Sequence, residues 1–345
     1  MSVEVRQIER SDIQGDDFDA LLEVFRADIM VRDPEDPLPD REEVAAEIFC
    51  AAPDQPGVVL VARLDGQPAG VAWSQGESEP GDETQVSFIE ILVKEELRRR
   101  GVASALLHRL VPTLLDLGQT SILAYPCAEI ATEAATGLCA KLGLTVRQEE
   151  RCSRVPVTDV DEGLMDAWIA DAPRSAPGYR LEQWEGPCPD HLARPWFEAV
   201  SAMEDQPTDD LDLNLFTRGI DEQRTTDERR RVDGFEIFRS LALSPEGEAA
   251  GMSALFVHRS RPQVGHQGDT GVVAAHRGRR LGRWLKAANY RFVRSAHPEL
   301  AVIETYNAQT NPWMLDINVA MGFRPHHRYI AHQGPIDQVA AALGL

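Results

Sequence analysis

Two short stretches of this chain place arginines where a helix is about to begin. Residues 92–110 read LVKEELRRRGVASALLHRL, and residues 272–290 read VVAAHRGRRLGRWLKAANY. In each, an apolar run ends, basic residues follow, and small residues open a helical apolar pattern. A helix start leaves its first backbone N–H groups unpartnered and carries the positive end of the helix dipole, so positive charge there is unfavourable without an anion. The first stretch offers Arg98, Arg99, Arg100 and Gly101 with the amides of Val102, Ala103 and Ser104. The second offers Arg277, Gly278, Arg279 and Arg280 with those of Leu281 and Gly282. Glycine lets a ligand approach the main chain, and arginine adds charge-assisted hydrogen bonds. The chemistry this predicts is the holding of a phosphate or pyrophosphate.

The elements around the two stretches recur in the same order. Residues 3–10 alternate as a strand, and residues 57–77 read as a hairpin about an Asp-Gly turn. Residues 84–93 are the strand that feeds the first basic stretch; a helix over 102–117, a strand over 119–126 and a helix ending at Gly143 follow. Pro112 should kink or divide the first of these helices. The second half repeats the series, with a strand over 178–186, a hairpin over 234–259, the basic stretch, a strand at LAVIETYNA and a helix ending at Gly322. Arg98 and Arg277 lie about half the chain apart, the mark of a two-copy repeat. We therefore expect one domain over 1–157, a linker over 158–177 and a second domain over 178–345.

Composition excludes several classes. The chain has 345 residues and a formal net charge of −21, which opposes nucleic acid and suits a cationic acceptor. No apolar run of about 18 residues is present to span a membrane. Five scattered cysteines without C-x-x-C spacing predict free thiols in a reducing cytoplasm. The nine histidines show no H-x-x-x-H or H-E-x-x-H pairing, so no metal is expected.

The Arg98-x-x-Gly101-x-Ala103 loop, the KLGL at 141–144, the TYNAQTN at 305–311 and the AMGF at 320–323 together resemble the GNAT superfamily of acyl-CoA-dependent N-acetyltransferases. The resemblance covers nearly the whole chain as two tandem copies, in the manner of actinobacterial two-domain members and distantly of mycothiol synthase. It implies an α/β (α+β) fold, each copy a mixed, mostly antiparallel, splayed sheet flanked by helices. Arg277-x-x-Arg280-x-Gly282 departs from the family loop, with arginine at the fourth position.

The resemblance further implies acetyl-CoA as cofactor, bound by the two loops. Main-chain groups at Ile91, Leu92 and Val93, and around Val272, would hold the pantetheine arm, and Asn311 adds a polar group at the mouth. Many members use a tyrosine four residues before the glycine that ends the last helix, as the acid. Here that position holds Cys139 in the first copy and Asn318 in the second. Glu304 stands where some members carry a catalytic glutamate, with Tyr306 on the same strand face, so Glu304, Tyr306 and Asn318 are the expected catalytic residues. Glu90 and Tyr125 are the first copy's thinner polar inventory; Asp269 and His276 flank the second copy's motif strand. Glu204, Asp205 and Asp209, in the acidic stretch 203–214, are the expected acceptor site.

The function expected is acetyl transfer to the amine of a small molecule such as an antibiotic or secondary metabolite, by a monomer or homodimer. A non-catalytic acyl-CoA-binding scaffold, a mycothiol-synthase-like step and a peptide N-acetyltransferase are the alternatives.

Overall fold

The computed structural model describes residues 2–49, 57–76, 82–205, 208–213 and 219–345. The first copy runs β1 (Val3–Gln7), α1 (Asp16–Arg32), α2 (Arg41–Ile48), β2 (Val58–Leu64), β3 (Gln67–Gly76), β4 (Val86–Val93), α3 (Val102–Asp116), β5 (Ser121–Ala124), α4 (Ala128–Lys141), β6 (Thr145–Pro156) and α5 (Glu162–Ser175). The second repeats this as β7 (Arg180–Glu185), α6 (Asp190–Ser201), α7 (Ile220–Val232), β8 (Phe235–Leu243), β9 (Ala249–His258), β10 (Val264–Val272), α8 (Leu281–Ala296), β11 (Val302–Ala308), α9 (Pro312–Met321), β12 (Arg324–Pro335) and α10 (Ile336–Leu343).

Local chemistry explains most element ends. Asp65 and Gly66 are both left-handed, at φ 49° and 84°, which closes the two-residue hairpin turn between β2 and β3. Asp40 and Asp161 cap α2 and α5 by accepting from the Glu43 and Leu164 amides. Gly143 and Gly322, at φ 79° and 101°, follow α4 and α9. Pro112 neither divides nor ends α3. The helix buries Leu106, Leu107, Leu110 and Leu114 completely, and about 1.5–3 kcal/mol per buried leucine outweighs the roughly 3 kcal/mol an internal proline costs.

The chain forms two compact units that are not its two consecutive halves. Unit 1 comprises Met1–Glu149, Thr208–Asn214 and Arg328–Leu345; unit 2 comprises Glu150–Pro207 and Leu215–His327. In unit 1 the strands lie in the order β1-β2-β3-β4-β5-β12, and in unit 2 in the order β6-β11-β10-β9-β8-β7. Each sheet is antiparallel apart from one parallel pair, β4–β5 and β10–β11. The last strand of each copy therefore completes the other copy's sheet: β12 pairs with β5, and β6 with β11.

The segment expected as a linker, 158–177, is folded. Its helix α5 packs on α8 within unit 2, where Tyr290 donates to Glu162 (2.6 Å) and Arg291 pairs with Asp166 (2.7 Å). In unit 1, α10 packs on α3 in the same way and adds Ile336, Val339 and Ala340 to the core. Among the described residues, no helix is long and apolar enough to cross a membrane.

Candidate active site

The parallel pair at the centre of each sheet is held for only a few residues. β4 and β5 pair from Val86↔Ser121 to Phe88↔Leu123, and β10 and β11 from Val264↔Val302 to Gln267↔Thr305. Beyond these points the strands part. β4 stays paired to β3 as far as Val93, and β10 to β9 as far as Val272, so the edge turned to the gap keeps main-chain groups without a neighbouring strand. Between Gln267 and Thr270 the register of β10 on β9 shifts, which re-aims the strand there. Ile91, Leu92, Val93 and Val272, the expected pantetheine contacts, lie on the parted segments.

At the end of each parted strand the basic loop takes one shape in both units. A single 3-10 turn (residues 95–97 and 274–276) precedes an extended arginine. The Arg98 Nε donates to the Val93 carbonyl (3.2 Å), and the Arg277 Nε to that of Val272 (3.1 Å). Two left-handed residues then turn the chain into the helix: Arg99 (φ 61°) and Gly101 (φ 85°) in unit 1, Gly278 (φ 81°) and Arg280 (φ 59°) in unit 2. The departure at Arg280 is thus one of residue type and not of backbone. Neither α3 nor α8 has an acid in its first turn or a side-chain cap, so the amides of Val102, Ala103 and Ser104, and of Leu281 and Gly282, remain open to an anion. Arg99, Arg100 and Arg279 are exposed beside them; Arg280 is also exposed and reaches Asp171 (2.9 Å). Uncapped amides, exposed guanidinium groups and an unpaired strand edge fit the phosphates and the amide-bearing arm of acetyl-CoA.

The expected base, Glu304, is otherwise engaged. It is buried, receives Arg154 through Nη2 (2.7 Å) and Nε (3.0 Å), and meets His266 Nδ1 (2.9 Å) and the Tyr306 hydroxyl (3.2 Å). Burial pushes its pKa up, but His266 and Arg154 outweigh that and hold the carboxylate well below the usual range. A group so held is a poor proton acceptor; Glu304 ties β11 to β6 and β10. Tyr306 shares its strand face, as the alternation requires, and is exposed. Asn311 caps α9 by accepting from the Met314 amide (3.3 Å), which explains its place without a ligand.

Two carboxyls stand on the parted strands, each eight residues before the loop's first arginine: Glu90 and Asp269. Glu90 is partly accessible, yet lost hydration raises its pKa to about 8, with Arg32 opposing and Glu47 and Asp28 adding to the rise. Asp269 is exposed at the surface of β10, yet the protein packed around its carboxyl still raises its pKa, against the pull of Arg230. At the acid position the units differ. Cys139 is buried in the unit 1 core, and burial pushes its thiol up to about 11. Asn318 in unit 2 is buried, donates to Asn307 Oδ1 (2.7 Å), and accepts from the Lys286 ammonium. Lys286 was not among the expected residues. Its one sequence signal is position, since Tyr290 and Val293, four and seven residues on, are buried on the same helix stripe.

The expected acceptor stretch does not act as one element. Glu204 is exposed in unit 2, whereas Asp209 belongs to unit 1, where the Asp212 amide donates to Gln333 (2.8 Å) and Leu211 and Leu213 pack with Val86, Leu123 and Tyr125. The side chain of Asp205 lies outside the described residues.

Two splayed sheets, each ending in an uncapped basic helix start, are the architecture of the tandem GNAT fold. Residues 19–144 match the acetyltransferase (GNAT) family, and the chain as a whole is a tandem GNAT-fold protein. No curated protein matches it. A tandem GNAT protein from the clavulanic acid biosynthesis pathway, without AcCoA, is similar at 22% identity and a TM-score of 0.77, over 97% of this chain and 99% of that one. A GCN5-related N-acetyltransferase from Sphaerobacter thermophilus is similar at 16% and 0.67, over 97% and 96%. A glucosamine N-acetyltransferase region of a fungal multi-domain β-N-acetylglucosaminidase is similar at 13% and 0.66, over 96% of this chain and 38% of that one.

Proposed function

We propose that this chain transfers an acetyl group from acetyl-CoA to the amine of a small molecule, and that the chemistry takes place in unit 2. The observation that carries this is the arrangement around the β10–β11 gap, with Asp269 on one parted strand and the Lys286–Asn318–Asn307 chain on the other side. Acetyl-CoA, when bound, supplies an activated thioester. The uncapped amides of α8 and Arg277 hold its phosphates, and main-chain groups near Val272 hold its arm and polarise the acyl carbonyl. Asp269 takes the proton the amine must lose, a task for which its raised pKa suits it. Asn318 does not titrate, so it serves by hydrogen bonding alone. The acidic balance of the chain favours a cationic acceptor, with Glu204 and Tyr306 as contacts at the mouth. A fold neighbour that acts on glucosamine sets a precedent for an amino sugar. The scattered cysteines favour a cytoplasmic setting.

Unit 1 has a second reading as a holder of acetyl-CoA without turnover, because Cys139 is sealed in its core. The test is calorimetric titration of the whole chain with acetyl-CoA, beside Arg98→Glu and Arg277→Glu, followed by thiol release with a panel of polyamines and amino sugars. Two sites, one lost with each variant, and turnover lost only with Arg277→Glu are expected. Binding without thiol release from any amine favours the scaffold reading; no binding at all overturns both.

A further inference from the structure

Lys286 is the least expected residue of unit 2. It is 1% exposed on α8, its ammonium lies 5.6 Å from the centre of the Phe323 ring, and among the described residues no carboxylate pairs with it. A buried cation without a counter-ion is costly, and an apolar side chain of similar volume would serve packing better. The hydrogen bonds it makes lead towards the gap. An ammonium can only donate, so Asn318 must turn its Oδ1 to Lys286, and its Nδ2 then faces Asn307. Asn307 sits on the parted part of β11, two residues beyond the last paired residue, Thr305. One Nδ2 hydrogen goes to Asn307; the other has no acceptor among the described residues.

We propose that Lys286 is a positioning residue that polarises Asn318, so that the free amide hydrogen of Asn318 stabilises the thiolate leaving from acetyl-CoA in unit 2. This deepens, and rests on, the acetyltransferase reading above. The amine's N–C bond forms and the C–S bond breaks with its electron pair left on sulfur. The amine's proton passes to Asp269, and the thiolate is later protonated by water. A full positive charge behind the amide carbonyl strengthens the opposing N–H as a donor, and low polarity strengthens it further. Burial alone lowers the Lys286 pKa to about 7, and no neighbouring charge contributes to the shift. A thiolate at Asn318 would in turn hold the proton on Lys286.

The test needs no acceptor. Coenzyme A is titrated on the whole chain between pH 6 and 10, and the bound thiolate is followed by its ultraviolet absorbance, in wild type, Lys286→Met, Lys286→Arg and Asn318→Leu. In wild type one bound thiol per chain should ionise at least tenfold more readily than free coenzyme A. Lys286→Met and Asn318→Leu should abolish that gain with the binding stoichiometry unchanged, and Lys286→Arg should restore much of it. A bound thiol that titrates as free coenzyme A in wild type, or one unmoved by Lys286→Met, overturns the inference and leaves the acetyltransferase reading standing. Should Lys286→Met not fold, the wild-type and Asn318→Leu titrations decide alone. Failure of coenzyme A to bind wild type overturns the acetyltransferase reading itself, and this inference with it.

Discussion

Gly101 and Arg280 fill the same turn position in the two units, at φ 85° and 59°. Two residues earlier the types reverse, with Arg99 at 61° and Gly278 at 81°. Each loop therefore needs two left-handed residues and meets the need with one glycine and one arginine. A Cβ at Gly101 would meet no heavy atom within 4 Å, so Gly101→Ala carries only the backbone strain. A loss of about 1–2 kcal/mol in urea denaturation is expected, and Arg280→Gly should stabilise. A much larger loss at Gly101 would mean that the loop packs more tightly than this geometry shows.

Gly282 behaves differently, because a Cβ there lies 3.1 Å from Ile317 Cδ1 on α9. Gly282→Val should cost about 1–3 kcal/mol through overpacking. It should also shift α9 and weaken coenzyme A binding in unit 2 while sparing unit 1. Calorimetry would show one of two sites lost; two intact sites would contradict the packing argument.

Glu304→Gln removes the shared carboxylate of a buried ionic cluster and takes from Arg154 its partner at 2.7 Å. About 3–5 kcal/mol should be lost at pH 7. The folded pKa of Glu304 lies below its unfolded value, so its contribution is present above the unfolded pKa and fades as pH falls through the folded one. Denaturation at pH 7 and again in acid should show the gap between wild type and variant narrowing with acid. A constant gap would place the effect in packing.

For Lys286 the sign reverses. Its folded pKa, about 7, lies below the ordinary lysine value, so the unfolded chain binds the extra proton between about pH 7 and 10. Stability should therefore rise with pH across that window. Lys286→Met should be more stable than wild type at neutral pH by a few kcal/mol, an order-of-magnitude figure from the shift of several pH units. That advantage should shrink towards pH 10. An advantage independent of pH would show that Lys286 binds its proton as readily in the folded chain as in the unfolded one, so that its pKa is not lowered.

Asp269→Asn tests the base. A fall in kcat of roughly 10²–10⁴, with KM for acetyl-CoA little changed and the acidic limb of the pH profile removed, is expected. An unchanged kcat would move the base elsewhere, with Glu90 of unit 1, raised to about 8, the next carboxyl to substitute.

Much of this molecule is written locally. The Asp65-Gly66 turn, the glycines after α4 and α9, the two basic helix starts and the repeat all follow from residue types at fixed spacing, because dihedral limits, helix ends and side-chain period act over a few residues. Sequence alone determined the two copies, the order of their elements and their basic helix starts. Tertiary structure decided which strand closes which sheet. Main-chain hydrogen bonds are the same for any strand, so they do not distinguish β6 from β12 as the closing partner. It turned an expected linker into α5 against α8, and it divided the acidic stretch between the two units. It also decided the charges. Glu304 reads as a candidate base until Arg154 and His266, 150 and 38 residues away in the chain, are folded against it. Lys286 went unremarked in the sequence, and only burial beside Asn318, which takes its water away, sets it apart. Charge chemistry depends on neighbours and hydration, and in this chain both are set by contacts between residues far apart in sequence.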